Sequence, residues 1–107
     1  MFTLKNILAN KGATIDKNGN PVNYPRGYQV SVCDMLIIKA RDLRKKTLKA
    51  LLATIGADAC LGIWIDKGFV YIDQSIMVRT KKQAIKLGKQ YNQISIWNWK
   101  QEEAVYL

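Results

Sequence analysis

Asp66 and Asp73 flank the segment Lys67 to Ile72. If that segment folds back as a hairpin, the two carboxylates can face each other and hold a divalent metal for phosphodiester hydrolysis. A nuclease site needs more acidic ligands and a positioned lysine, and only Lys67 stands nearby. Asp66 as a turn residue and Asp73 as a strand terminator are the ordinary reading. The chain contains no histidine, which removes the commonest general base and the usual serine and cysteine triads. Neither G-x-G-x-x-G nor G-x-x-x-x-G-K-[ST] occurs, so there is no phosphate loop. Asp16 opens a stretch that begins like a calcium loop, but Pro21 occupies the place of the turn glycine and Gly27 that of the bidentate glutamate. Cys33 and Cys60 are too far apart for a metal knuckle or a C-x-x-C pair and read as two buried, reduced thiols. No catalytic residue, metal, other cofactor or small-molecule ligand is expected, and the chain reads as one that acts by binding.

Charge points to what it binds. Seventeen Lys and Arg oppose eight Asp and Glu, a net charge of +9, and such an excess on a small domain attracts polyanions. Lys39, Arg41, Arg44, Lys45, Lys46 and Lys49 form one cluster; Arg79, Lys81, Lys82, Lys86 and Lys89 form a second with no acid among them. Both fall on or beside expected helices. If those helices share a sheet face, their outer surfaces merge into one field that tracks phosphates. Positive charge at the start of the second helix opposes the helix dipole, a local cost that stability alone does not explain. The plain alternative is that both clusters are solvated faces.

The elements that must carry these residues follow from periodicity. Phe2 to Leu4 reads as a short strand, and Ala13 to Asp16 with Pro21 to Tyr24 as a hairpin turning at Asn18-Gly19. Tyr28, Val30 and Val32 alternate with polar or small neighbours as a strand, and Met35 to Ile38 either extend it or lead into a helix. Asp42 is the expected cap of a first helix carrying Leu48, Leu51, Leu52 and Ile55 on one face and ending at Gly56. Leu61 to Asp66 and Phe69 to Asp73 form a tight hairpin through Lys67-Gly68. Thr80-x-x-Gln83 opens a second helix that stops at Asn92. Ile94 to Trp99 is a strand, and Ala104 to Leu107 a final edge strand. The fold class is therefore α+β: an antiparallel sheet with two helices packed on one face, in β-α-β-β-α-β order, plus the N-terminal hairpin and the C-terminal edge strand. The 107 residues make one domain. No apolar run approaches the ~20 residues of a membrane span and no signal peptide is legible, so a cytoplasmic location is expected.

Lys67-Gly68-Phe69-Val70-Tyr71 resembles the third-strand motif of RNA-recognition domains. That resemblance implies Phe69 and Tyr71 as a base-stacking pair. Val70 departs from the Gly or Ala of the motif and Gln74 from its aromatic, which keeps core packing open for both rings. Trp97 and Trp99 share a strand face and read as core or as a partner-docking patch. Over most of its length the chain is also similar to small uncharacterised proteins of bacteriophages and mobile elements, and to domains of their large polyvalent proteins. The segments that carry this are Phe2 to Leu4, Gly27 to Val32, Gly62 to Trp64, Val70 to Ser75, Leu87-Gly88 and Asn92 to Trp97. The resemblance implies an accessory protein acting inside a bacterium. With the charge pattern, the leading expectation is a non-enzymatic protein that engages a host nucleoprotein through its basic helix faces, by analogy of setting an inhibitor of the anti-CRISPR type. The alternatives are a plain RNA- or DNA-binding domain and, third, the metal-dependent nuclease.

Overall fold

The computed structural model describes residues 1–107. Thr3 opens α1 (Leu4–Ala9), its hydroxyl accepting the Asn6 amide. The short strand expected at Phe2 to Leu4 is absent, because the cap starts a helical turn that drops Phe2 and Ile7 into the core. β1 (Gly12–Asp16) follows, and the expected turn lies beyond it. Asp16 accepts the amides of Asn18 and Asn20, each at 2.9 Å, and Gly19 takes a left-handed φ of +86°. The return arm at Pro21 to Tyr24 is no strand. It keeps a single bridge, Ile15 to Pro21, since Pro21 has no amide to continue a ladder.

β2 (Tyr28–Lys39) takes in Met35 to Ile38 and runs twelve residues. Asp42 caps nothing: Ala40 to Asp42 make one tight 3-10 turn, Leu43 is buried, and α2 (Lys45–Leu52) starts after Arg44 without a side-chain cap. It stops at Ala53, short of Gly56. The Lys17 ammonium, reaching across from the β1 turn, donates to the Leu52 and Ile55 carbonyls at 2.8 and 2.6 Å, so a cation closes the negative end of the helix. β3 (Ala59–Asp66) and β4 (Phe69–Val78) form the expected hairpin. Lys67 and Gly68 both have positive φ, 50° and 82°, the condition a two-residue I′ turn imposes. α3 (Lys81–Gln90) begins at Thr80, which accepts the Gln83 amide at 3.2 Å, and Asn92 at φ 57° ends the segment as expected. β5 (Ser95–Asn98) and β6 (Glu103–Tyr106) complete the chain.

All six strands join one sheet in the order β1-β3-β4-β2-β5-β6, antiparallel at every contact. The expected α+β class holds, with α1 as a third helix. From β2 to β5 the connectivity is that of a split β-α-β-β-α-β sheet. All three helices cover one face. Ile15, Leu61, Ile63, Val70 and Ile72 pack with Ile7, Leu48 and Leu52 over the β1–β3–β4 half, while Val30 and Ile96 pack with Ala84 of α3 over the other. No helix is long and apolar enough to cross a membrane.

The Lys17 contacts bind the first turn of the chain to the end of α2. Hydrogen bonds from a charged donor to partly buried carbonyls contribute about 1.5–3 kcal/mol. Lys17→Met, which keeps the stem and removes the ammonium, is expected to lower the urea-unfolding free energy by about 2 kcal/mol. A loss under about 0.5 kcal/mol, the scale of ordinary surface substitutions, refutes the capping role.

Candidate functional site

Because side chains alternate along a strand, the residues between the core positions all point to the face without helices. They include Thr14, Gln29, Ser31, Gly62, Trp64, Tyr71, Asp73, Ser75 and Trp97. That face is not flat. Thr14 on β1 and Gln29 on β2 have two strands between them, a gap of roughly 14 Å across a flat sheet. Yet the Thr14 hydroxyl donates to the Gln29 side-chain carbonyl at 3.2 Å. The sheet is therefore curled with its helix-free face inward. Beneath the Thr14–Gln29 bridge Cys60 and Ser75 are closed off, Ser75 being only 2% exposed. At one end residues 21–27 cross over, and Tyr24 meets Trp99 edge-on at 5.4 Å while the Trp99 amide donates to Gly27 at 3.0 Å. Trp99 in turn meets Trp97 edge-on at 6.3 Å. What remains is an open trough of about 1150 Å³ walled by Trp64, Trp97 and Trp99.

Asp73 lies on its floor. Gly62 makes the space for it: a Cβ at Gly62 would come within 2.6 Å of the Asp73 Oδ1. The Ser75 hydroxyl donates to that same oxygen. Burial, reinforced by Asp34 across the β2–β4 ladder and opposed by the Ser75 hydrogen bond, pushes the Asp73 carboxyl from the usual 3.8 up to about 6. Burial also drives the Cys60 thiol up to about 12, leaving it un-ionised at neutral pH. Two buried polar atoms here, Ser31 Oγ and Trp99 Nε1, have no hydrogen-bond partner. The charged residues lining the trough are Asp66, Asp73 and Glu102 against Lys11, so an acidic hollow sits in a molecule of net charge +9.

Phe69 and Tyr71 are not core residues. Both project from the helix-free face and are 41% exposed, because β4 turns its even positions, Val70 and Ile72, to the helices. Trp64, 61% exposed, stands opposite Tyr71 on β3, and the exposed Ile37 stands opposite it on β2. Trp97 and Trp99 are half-buried trough walls rather than members of the core under the helices. Lys39, Arg41, Arg44, Lys45, Lys46, Lys49, Arg79, Lys81, Lys82, Lys86 and Lys89 are all exposed. Lys39 pairs with Phe69 and Arg79 follows Val78, so the two clusters begin at opposite ends of the ladder, roughly 30 Å apart. The α2 cluster lies over the β1–β3–β4 half of the sheet and the α3 cluster over the other half. Arg44 is tied to the Arg41 and Leu43 carbonyls, and the Lys45 ammonium lies 5.9 Å from the centre of the Phe2 ring.

Asp66 pairs with Phe69 and Asp73 with Gly62, four ladder positions apart, or roughly 13 Å. They cannot share an ion, and no group of three His, Cys, Asp or Glu side chains comes together elsewhere. The Asp16 carboxylate is already engaged by turn amides. Cys33, expected buried, is exposed at a bulge of β2, where the register shift breaks the alternation. The residues that sequence reasoning passed over are Gly62, Ser31 and Ser75 with Asp73 as their centre. The available signal was a glycine and two serines at inward positions of strands that otherwise carry large side chains. No family model, curated protein or solved structure matches the chain.

The raised Asp73 carboxyl fixes the sign of a pH effect. The folded state holds this proton more tightly than the unfolded chain, so the contribution of Asp73 to stability falls as pH rises from about 4 to about 6 and stays low above that. A shift of this size corresponds to roughly 3 kcal/mol. Asp73→Asn, which keeps an acceptor for Ser75, is expected to be more stable than wild type at pH 7.5 and about equal at pH 4 in urea unfolding. Equal stability at both pH values overturns the assignment of Asp73 as a strained, half-buried carboxylate.

Proposed function

We propose that this chain is a non-enzymatic domain that binds single-stranded nucleic acid, with bases stacking on the helix-free face and phosphates held by lysines and arginines around it. The observation that carries this reading is the exposure of Trp64, Phe69 and Tyr71 side by side on two paired strands of a strongly basic domain. Large rings left in water on a sheet face gain nothing for folding, whereas each base stacked on such a ring contributes about 1–3 kcal/mol. Lys39 beside Phe69, Lys67 in the adjoining hairpin turn and Lys11 next to β1 supply cations within the same region. The split β-α-β-β-α-β connectivity agrees with the RNA-recognition resemblance of Lys67 to Tyr71. The setting proposed is that of a bacteriophage or mobile-element accessory protein in a bacterial cytoplasm.

A second reading has its own observation. The α2 and α3 clusters lie fully exposed on the helical side, facing away from the aromatic side chains. They suit an acidic or nucleoprotein surface of the host, as for an inhibitor of the anti-CRISPR type. Phosphate-held complexes lose affinity steeply with salt, while aromatic anchors tolerate it.

Titration of intrinsic tryptophan fluorescence with single-stranded oligonucleotides separates the two readings. Trp64→Ala and Tyr71→Ala are each expected to weaken binding by about 5- to 100-fold, on the scale of one lost stacking contact. Reversing Lys45, Lys49, Lys82 and Lys86 to Glu should mainly flatten the salt dependence. Undiminished oligonucleotide binding in the Trp64→Ala, Tyr71→Ala double variant refutes the stacking face. Binding to an assembled nucleoprotein that the lysine reversal alone abolishes moves the function to the helices.

A further inference from the structure

A stacking surface needs rings and nearby cations. The trough beside it holds something else: a half-buried carboxylate, tryptophan walls and a net negative lining. Phosphate is repelled from such a place, so the part of a nucleic acid that fits it is a base edge. Carboxylate oxygens accept hydrogen bonds and donate none, and each has room for two. Asp73 Oδ1 already accepts from Ser75, which leaves acceptor capacity on both oxygens facing the trough. Ser31 and Trp99 also line the trough, their Oγ and Nε1 atoms buried without a hydrogen-bond partner.

The four bases differ in what they offer to that set. Guanine presents two adjacent N–H donors, N1–H and the N2 amino group, with the O6 acceptor beside them. Adenine and cytosine each place a ring-nitrogen lone pair next to their amino group, and that lone pair faces the second carboxylate oxygen. Uracil and thymine flank one N–H with two carbonyls. We infer that the trough is a guanine-selective subsite, in which the Asp73 carboxylate accepts from N1–H and the N2 amino group of the Watson–Crick edge while indole walls cover the ring. This rests on the nucleic-acid reading above and gives it a base preference. Gly62 belongs to the subsite as well, because any larger residue displaces the Asp73 carboxyl. The volume, about 1150 Å³, lies above the roughly 300–1,000 Å³ typical of small-ligand pockets, so the trough has room for a base and part of its sugar.

The test uses the full chain and two heptamers, oligouridine and the same oligomer with one central guanosine. The guanosine heptamer is expected to bind roughly tenfold to a hundredfold tighter, the discrimination typical of a bidentate base contact. Asp73→Asn should reduce that preference. Lowering the pH from 7.5 to 5 should reduce it too, as Asp73 takes up a proton and loses an acceptor. The free nucleosides, which carry no phosphate, give an independent readout by NMR: guanosine is expected to shift the Trp97 and Trp99 indole signals, and uridine to leave them in place. Equal affinity for both heptamers overturns the guanine subsite and leaves the nucleic-acid reading standing. Failure of both heptamers to bind, with an arginine-bearing peptide captured in an Asp73-dependent manner, overturns both and makes the trough a docking site for a protein cation.

Discussion

The curl of the sheet governs everything on its helix-free side. β2 and β4 pair over nearly their full length, but β2 slips register between Ser31 and Cys33 and again between Asp34 and Leu36. Each bulge adds length to one strand only, so the paired strands must bend and twist more strongly. Two bulges close together on the longest strand bring β1 round until Thr14 meets Gln29. A flat sheet with the same residues would expose Asp73, Ser75 and Cys60 to water. The curled one buries Ser75 and Cys60, half-buries Asp73 and leaves the rings of Trp64, Phe69 and Tyr71 at the open end.

Charge is partitioned along the same geometry. The excess cations occupy the helices, the hairpin turn and the strand ends, while Asp66, Asp73 and Glu102, three of the eight acids, line the trough beside Lys11. The arrangement keeps phosphates on the outside and presents acceptors inside. It also costs stability. Asp73 stays partly ionised near neutral pH in a place that favours its neutral form, and Ser31 and Trp99 forgo hydrogen bonds that water or a better-placed neighbour would supply. Features that weaken a fold without a compensating contact mark places where a sequence serves something other than folding.

The parts of the fold legible in the sequence are those decided within a few residues. Thr80 and Gln83 cap α3 locally, Asn92 stops it locally, and Lys67-Gly68 turns the hairpin by its own backbone preference. What escaped depends on residues distant in the chain. The six-residue helix α1 carries too short a period to be seen, with Ile7 its one buried member. α2 ends where Lys17 meets it, thirty-five residues away, and not at Gly56. Phe69 and Tyr71 were ambiguous because an alternating strand fixes which residues share a face, but not which face the helices choose. The trough was invisible for a related reason: Gly62, Asp73, Ser31 and Ser75 come from three strands, and no local pattern announces that they meet. Both basic clusters were legible as sequence, while the halves of the sheet they cover were not.

The β1 edge has a consequence for how the molecule assembles. Gly12 to Asp16 pair with Trp64 to Cys60, so this short strand closes a loop of some forty to fifty residues. The β3–β4 hairpin, by contrast, closes over a two-residue turn. Loop closure costs entropy that only later contacts recover, and chains dominated by distant pairings fold slowly. The hairpin is therefore the pairing with the smallest closure cost. The pairings that complete the trough, β1 with β3 and the still more distant β2 with β5, where Tyr28 meets Asn98, are expected to set the tempo at which it forms.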